Sequence, residues 1–168
     1  MITFHKVSFK NFLSTGDQPN VIFLDRTPSA LITGTNGAGK STMLDALCFG
    51  IFGKPYRNIN KPQLVNTVNE KNAEVEVEFS VNEVRYKVVR GIRPNKFEVW
   101  QNDNLMQHDA AIKDYQKKLE EILGLNYKAF TQIVILGSAR YQSFMDLGNH
   151  DRRIIIEEIL DITVFSKM

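Results

Sequence analysis

The residues best equipped for chemistry run from Gly34 to Thr42, Gly-Thr-Asn-Gly-Ala-Gly-Lys-Ser-Thr, in the order G-x-x-x-x-G-K-[ST]. Glycines at this spacing allow the positive φ angles and close approach with which backbone N–H groups surround a phosphate. Gly37, Ala38, Gly39 and Thr42 would complete the cradle. Lys40 would reach the β- and γ-phosphates, and the Ser41 hydroxyl would hold Mg²⁺. A nucleoside triphosphate with Mg²⁺ is the expected ligand, with Lys40 as the catalytic cation.

Such a loop needs a strand before it and a helix after it. Ala30–Thr33 reads as a short buried strand entering the loop, and Met43–Phe52 is apolar on all sides, the mark of a core-buried helix. The helix would aim its positive end at the phosphate, and Gly53-Lys54-Pro55 would stop it. Upstream, Ile2–Phe9 and Val21–Leu24 read as strands. Downstream, Ala73–Val81 alternates strictly, with Val75, Val77 and Phe79 on one face and Glu74, Glu76 and Glu78 on the other. That pattern predicts a half-solvated antiparallel strand turning at Asn82-Glu83. Val84–Gly91 and Lys96–Gln101 continue the meander, with a last turn at Asn102–Asn104. From Asp109 the period lengthens to that of a helix, carrying Ile112, Tyr115, Leu119, Ile122 and Leu123 and ending at Gly124. Ile133–Leu136 reads as another short buried strand. A final helix begins near Asp151, with Ile155, Ile159, Ile162 and Phe165, and reaches Met168 without a stop signal, as though cut inside a helix.

The chain has 168 residues, 43% of them apolar, enough for one domain with a sizeable core. Its net charge of +2 is too small to mark a nucleic-acid binder by charge alone. The single cysteine, Cys48, lies on the buried helix and reads as a small core residue. No apolar run reaches the ~18 residues of a membrane span, and Met1–Phe12 lacks a signal-peptide core. An intracellular, cytoplasmic location is expected. His5, His108 and His150 are scattered and offer no metal-ligand spacing.

The parts needed for hydrolysis do not accompany the loop. A strand-end carboxylate for Mg²⁺ has one near match, Val21–Asp25, which precedes the loop and reads as an ordinary strand end. Asn60-Lys61-Pro62-Gln63 lacks the carboxylate that would read guanine. The chain is therefore expected to bind a triphosphate and to be inactive by itself. A stand-alone nucleotide-binding module or small kinase is the alternative, although an acceptor pocket and an Arg-rich lid are not evident. The one basic concentration, Arg85, Lys87, Arg90, Arg93 and Lys96, is interleaved with Tyr86, Phe97 and Trp100. It would suit DNA phosphates or would pair with Glu74, Glu76 and Glu78 on the neighbouring strand.

Several segments resemble the SMC-like double-strand-break repair ATPases, the family of the SbcC and T-even phage recombination-endonuclease ATPase subunits. Lys10-Asn11-Phe12-Leu13-Ser14 resembles their K-N-F-x-S segment, and Gly34–Leu47 their glycine loop and helix. Phe130–Leu136 with Phe144-Met145 is similar to their F-T-x-x-V-x-L stretch, and Asp151–Arg153 with Glu157–Leu160 to the start of their coiled coil. The resemblance implies an α/β fold, the N-terminal lobe of an ABC-type ATPase head over residues 1–150, with an antiparallel meander and the start of a coiled-coil helix over 151–168. It implies that Asn36 faces the γ-phosphate and that Lys10, Asn11 and Ser14 line the nucleotide. Ser138 then stands where the family places a Mg²⁺-binding glutamine, and Leu13 where several members carry an Arg. It also implies partners: the chain's own C-terminal lobe, a second head, a calcineurin-like nuclease subunit and double-stranded DNA ends, with no membrane. Leu64–Thr67 would graze adenine and ribose, and Asp45 would support the helix.

Overall fold

The computed structural model describes residues 1–106, 112–135 and 147–159. Six strands, β1 (Ile2–Lys10), β2 (Asn20–Phe23), β3 (Ala73–Val81), β4 (Val84–Ile92), β5 (Lys96–Gln101) and β6 (Asn104–Leu105), form one antiparallel sheet in the order β2-β1-β3-β4-β5-β6. Among the described residues, four α-helices, α1 (Lys40–Phe52), α2 (Ile112–Leu123), α3 (Tyr127–Ile133) and α4 (Asn149–Ile159), accompany it, with a short 3-10 turn at Lys61–Leu64. None of the described helices is long and apolar enough to cross a membrane.

The strict alternation of β3 fixes its two faces, since successive side chains point oppositely. Val75, Val77 and Phe79 are buried, Val75 and Val77 against Gly50 of α1, while Glu74, Glu76 and Glu78 lie on the outer face. Asn82 and Glu83 both take positive φ, 47° and 72°, the geometry of a tight hairpin whose twist matches its strands. The β5–β6 hairpin uses Asn102 and Asp103 in the same way.

Helix α1 is buried along nearly its whole length, including Ala46, Leu47, Cys48, Phe49 and Ile51. It comes close enough to the sheet that a Cβ on Gly50 would overlap the Val77 side chain. Gly53, at φ 69°, ends it and donates its N–H to the Phe49 carbonyl. Burial, with the charge of Asp45 nearby, pushes the Cys48 thiol up to about 12, which leaves it an inert core group.

Two expected strands are absent. Residues 29–35 carry no strand, and Leu31 is 88% exposed and Ile32 47%. A buried strand needs hydrogen-bonded neighbours, and among the described residues no strand pairs with this segment; the sheet ends at β2. The run beginning at Ile133 closes a helix instead. The Asn126 side chain accepts the Ala129 N–H and so caps α3, whose Ala129 and Phe130 are buried while Ile133 and Val134 are exposed. Leu136, Phe144, Met145, Ile162 and Phe165 lie outside the described residues. Tyr115, Leu119 and Leu123 of α2 and Ile155 of α4 are buried as their spacing predicts, and Gly124 takes φ 63°.

Candidate nucleotide-binding site

The glycine loop takes its bend from Gly37 (φ 87°) and Gly39 (φ 89°), two left-handed positions that side chains rarely tolerate. Ala38 N–H donates to Thr35 O at 3.2 Å and Thr42 N–H to Gly39 O at 2.9 Å, so the loop passes directly into α1. Gly39 is the N-cap of α1 and supplies no capping side chain, and the first turn holds no acid. The positive end of a 13-residue helix and its free N–H groups are therefore left uncompensated by the protein. Lys40 folds back over the loop, and its Nζ donates to the carbonyl oxygens of Gly34 and of Thr35, the latter at 2.8 Å.

These groups open onto a cleft of about 550 Å³, within the roughly 300–1,000 Å³ common for small-molecule sites. Asn36, Gly37, Gly39, Lys40, Ser41 and Thr42 form one wall; Leu13, Ser14, Val65 and Thr67 form the other, with Gln63 and Arg57 at the rim. Buried Asn66 holds the second wall together. Its side-chain amide donates to the carbonyls of Leu13 and Thr15, and its oxygen accepts the N–H groups of Val68 and Asn69. Leu13 N–H donates to Leu64 O at 2.7 Å, stitching the two loops together. Leu64 belongs to the core, so in the 64–67 segment only Val65 and Thr67 face the cleft.

Other residues of the expected site lie elsewhere. Ala38 lines a smaller gap of about 250 Å³ between the loop and β2. Lys10 extends from the outer face of β1 to Glu74 at 3.4 Å. Asn11, buried at φ 48°, donates to Asp17 at 2.8 Å and accepts from Asn69 at 2.6 Å, so it organises the loop without lining the cleft. Ser138 lies outside the described residues. Asp25, the strand-end carboxylate, pairs with His5 Nδ1 at 2.6 Å and lines a different cavity, of about 280 Å³, on the outer face. His5 holds the Asp25 carboxyl below the usual carboxylate range.

Arg57 escaped the sequence reading. Fully buried Asp45 accepts its backbone N–H at 2.8 Å, its Nε at 2.6 Å and its Nη2 at 2.6 Å, which fixes a guanidinium at the cleft rim. The signal was available: an aspartate inside an otherwise apolar helix demands a cation, and Arg57 follows the helix stop at Gly53.

The basic meander divides. Arg90 faces the core side of β4, opposite Val75, and is 8% exposed, so it is not part of an exposed basic patch. Residue parity explains the correction, since 85 and 87 share a face and 90 lies on the other. Arg85 and Lys87 stay on the outer face, Lys87 with its Nζ 4.7 Å from the centroid of the Trp100 ring. Arg93 is exposed, and Lys96 sits between Glu74 at 3.5 Å and Glu98 at 3.4 Å. Lys6 bridges Glu76 and Glu78 at 2.7 and 2.6 Å. Burial works against the Lys6 charge, but the two glutamates hold its pKa above the ordinary lysine value. The outer face is thus a lattice of alternating charge.

Comparison with known proteins agrees with this architecture. A family model described as an AAA domain (AAA_23) matches residues 6–164. Exonuclease subunit 2 of Enterobacteria phage T4 is 42% identical over 164 residues, 98% of this chain and 29% of the relative. The DNA double-strand break repair Rad50 ATPase of Sulfolobus acidocaldarius is 25% identical over 161 residues, with 94% of this chain and 17% of the relative covered. In fold, the chain superposes on an Smc head domain with coiled coil and joint from Pyrococcus yayanosii, with a TM-score of 0.64 and 22% identity. That match covers 99% of this chain and 34% of the other. The chain spans 29% of the phage T4 relative's length. It belongs to the AAA_23 family of AAA domains, and its fold is that of an Smc-like ATPase head.

Proposed function

We propose that the chain is the ATP-binding N-terminal lobe of an ATPase head that acts in DNA repair or recombination. The observation that carries this reading is the uncapped, acid-free N-terminus of α1, presented by Gly37 and Gly39 to a cleft of about 550 Å³. In the bound state the amides from Gly37 to Thr42 hold the phosphates and Asn36 faces the γ-phosphate. Lys40 exchanges its loop carbonyls for phosphate oxygens, and Arg57 adds a second cation from the rim. Mg²⁺ fits the donor set, because it keeps several waters and binds largely through substrate phosphates. Ser41 supplies one hydroxyl, and Ser138 is the proposed second ligand.

The carboxylate that completes hydrolysis belongs, in this reading, to the protein's own C-terminal lobe, with a second head closing over the nucleotide. A calcineurin-like nuclease subunit and double-stranded DNA ends are the remaining partners. Arg85 and Lys87, with Arg93, are the cations left for DNA once Arg90 is assigned to the core. The test is equilibrium binding of ATP·Mg²⁺ to this chain and to its Lys40→Met variant, followed by turnover with and without an added C-terminal lobe. Binding lost in the variant, with turnover in the mixture alone, is the expected result. Equal binding by both proteins would refute the site, and robust turnover by the isolated chain would refute the divided head.

A further inference from the structure

A further cavity, of about 160 Å³, lies at the C-terminal end of α1, away from the glycine loop, and buried Arg90 forms part of its wall. The guanidinium is mostly spent. Its Nε donates to Gly50 O at 2.7 Å, its Nη2 to Ile51 O at 3.0 Å and to the Gln116 side chain, and one face lies 3.6 Å from the centroid of the Phe97 ring. What remains is Nη1, which has no acceptor among the described residues. It lies over Gly53, where an added Cβ would come within 3.1 Å of it. Gly53 thus both ends α1 and keeps the cavity open.

The charge around this group is one-sided. Lys61 and Asn95 line the same cavity, and neither side chain has a partner among the described residues. Lys96 lines it too, but Glu74 and Glu98 hold its ammonium. Among the described residues, no carboxylate lines the cavity. The acid that Arg90 senses is Glu120, which is bonded to the Gln116 amide at 2.7 Å. Burial accordingly pulls the Arg90 guanidinium down to about 9, and it still carries its charge at neutral pH. A buried cation answered mainly by neutral carbonyls is costly, and a counter-ion relieves that cost.

We propose that this cavity binds one small oxyanion of the phosphate class, held by Arg90 Nη1 with Lys61 and Asn95. Its volume falls below the roughly 300 Å³ at which nucleotide-sized ligands begin to fit, and three donors, two from the β4–β5 hairpin and one from Lys61, suit a tetrahedral anion. The proposal does not depend on the nucleotide site.

The test titrates inorganic phosphate into the full chain carrying Lys40→Ala, which removes the glycine-loop lysine, at ionic strength held constant with KCl. The backbone amide resonances of Gly53, Gly91 and Asn95 are followed. Saturable shifts are expected at these three, weakened at least about tenfold by Lys61→Glu, an exposed change that leaves the fold intact by circular dichroism. Shifts confined to Gly34–Thr42, no saturation, or equal affinity in Lys61→Glu would overturn the proposal. Dimethyl phosphate, run in parallel, separates the sources: tighter binding of inorganic phosphate marks a free anion, and tighter binding of the diester a nucleic-acid backbone.

Discussion

The Asp45–Arg57 pair offers the sharpest test of how this chain builds its cleft. The partners are unequal: Asp45 is fully buried, whereas the Arg57 side chain is 38% exposed at the rim. Arg57→Met leaves a buried carboxylate with only the backbone N–H of residue 57 as donor, having lost the Nε and Nη2 bonds of 2.6 Å each. Stranding a buried charge costs about 3–5 kcal/mol. The partly hydrated rim places this case near 3 kcal/mol, an order-of-magnitude figure. Asp45→Asn keeps an acceptor for the backbone N–H but turns an NH₂ toward the guanidinium donors. Arg57 can then swing into water, so the loss is smaller, about 2 kcal/mol.

With a urea m-value of about 2 kcal/mol/M, the two midpoints fall by about 1.5 M and 1 M. The double variant buries neither charge. Its loss should be smaller than the sum of the singles by about 2 kcal/mol, measured by urea unfolding followed by circular dichroism. Additivity within about 0.5 kcal/mol would show that the two side chains do not share a buried bond, and Arg57 would lose its anchored place at the cleft.

Three further changes probe other parts of the structure. Gly50→Ala should lower stability by about 1–2 kcal/mol in thermal unfolding, because the added methyl meets Val77 and Val75 and overpacking outweighs the ~1 kcal/mol gained in helix propensity; stabilisation would show that α1 can move off the sheet. Asp25 has a lowered folded-state pKa through its His5 hydrogen bond, so its contribution is present above the ordinary value of 3.8 and is lost as pH falls through the lowered one. Asp25→Asn should flatten that acid limb of the stability curve, and an unchanged limb would mean that the pair does not form in solution. Changing Arg85 and Lys87 together to Glu should weaken duplex DNA binding and reduce its salt dependence, whereas unaltered affinity and slope would confine both residues to the sheet's charge lattice.

What could be read from the sequence was what is local. The alternation of Ala73–Val81 settles both faces of β3, and Asn82-Glu83, Gly53 and Gly124 mark turns and helix ends through their own backbone preferences. The glycine loop was legible for the same reason, since Gly37 and Gly39 carry its bend themselves. Ala30–Thr33 and Ile133–Leu136 failed together. Each is a run of mostly apolar residues, but a buried strand is defined by its neighbours across the sheet, which a four-residue run does not name. Near the second run, Asn126 held the better signal, a helix cap seven residues upstream of Ile133.

Electrostatic roles were hidden for a related reason. Arg90 looked like one member of a basic cluster, yet strand parity puts it on the face opposite Arg85 and Lys87, where it binds carbonyls at the end of α1. Asp45 and Arg57 are 12 positions apart and meet only because Gly53 turns the chain back. In both cases the decisive feature was a charge in an apolar setting, on a buried helix or an inward strand face. The sequence shows that such a charge needs a partner, but the fold decides which atoms answer it.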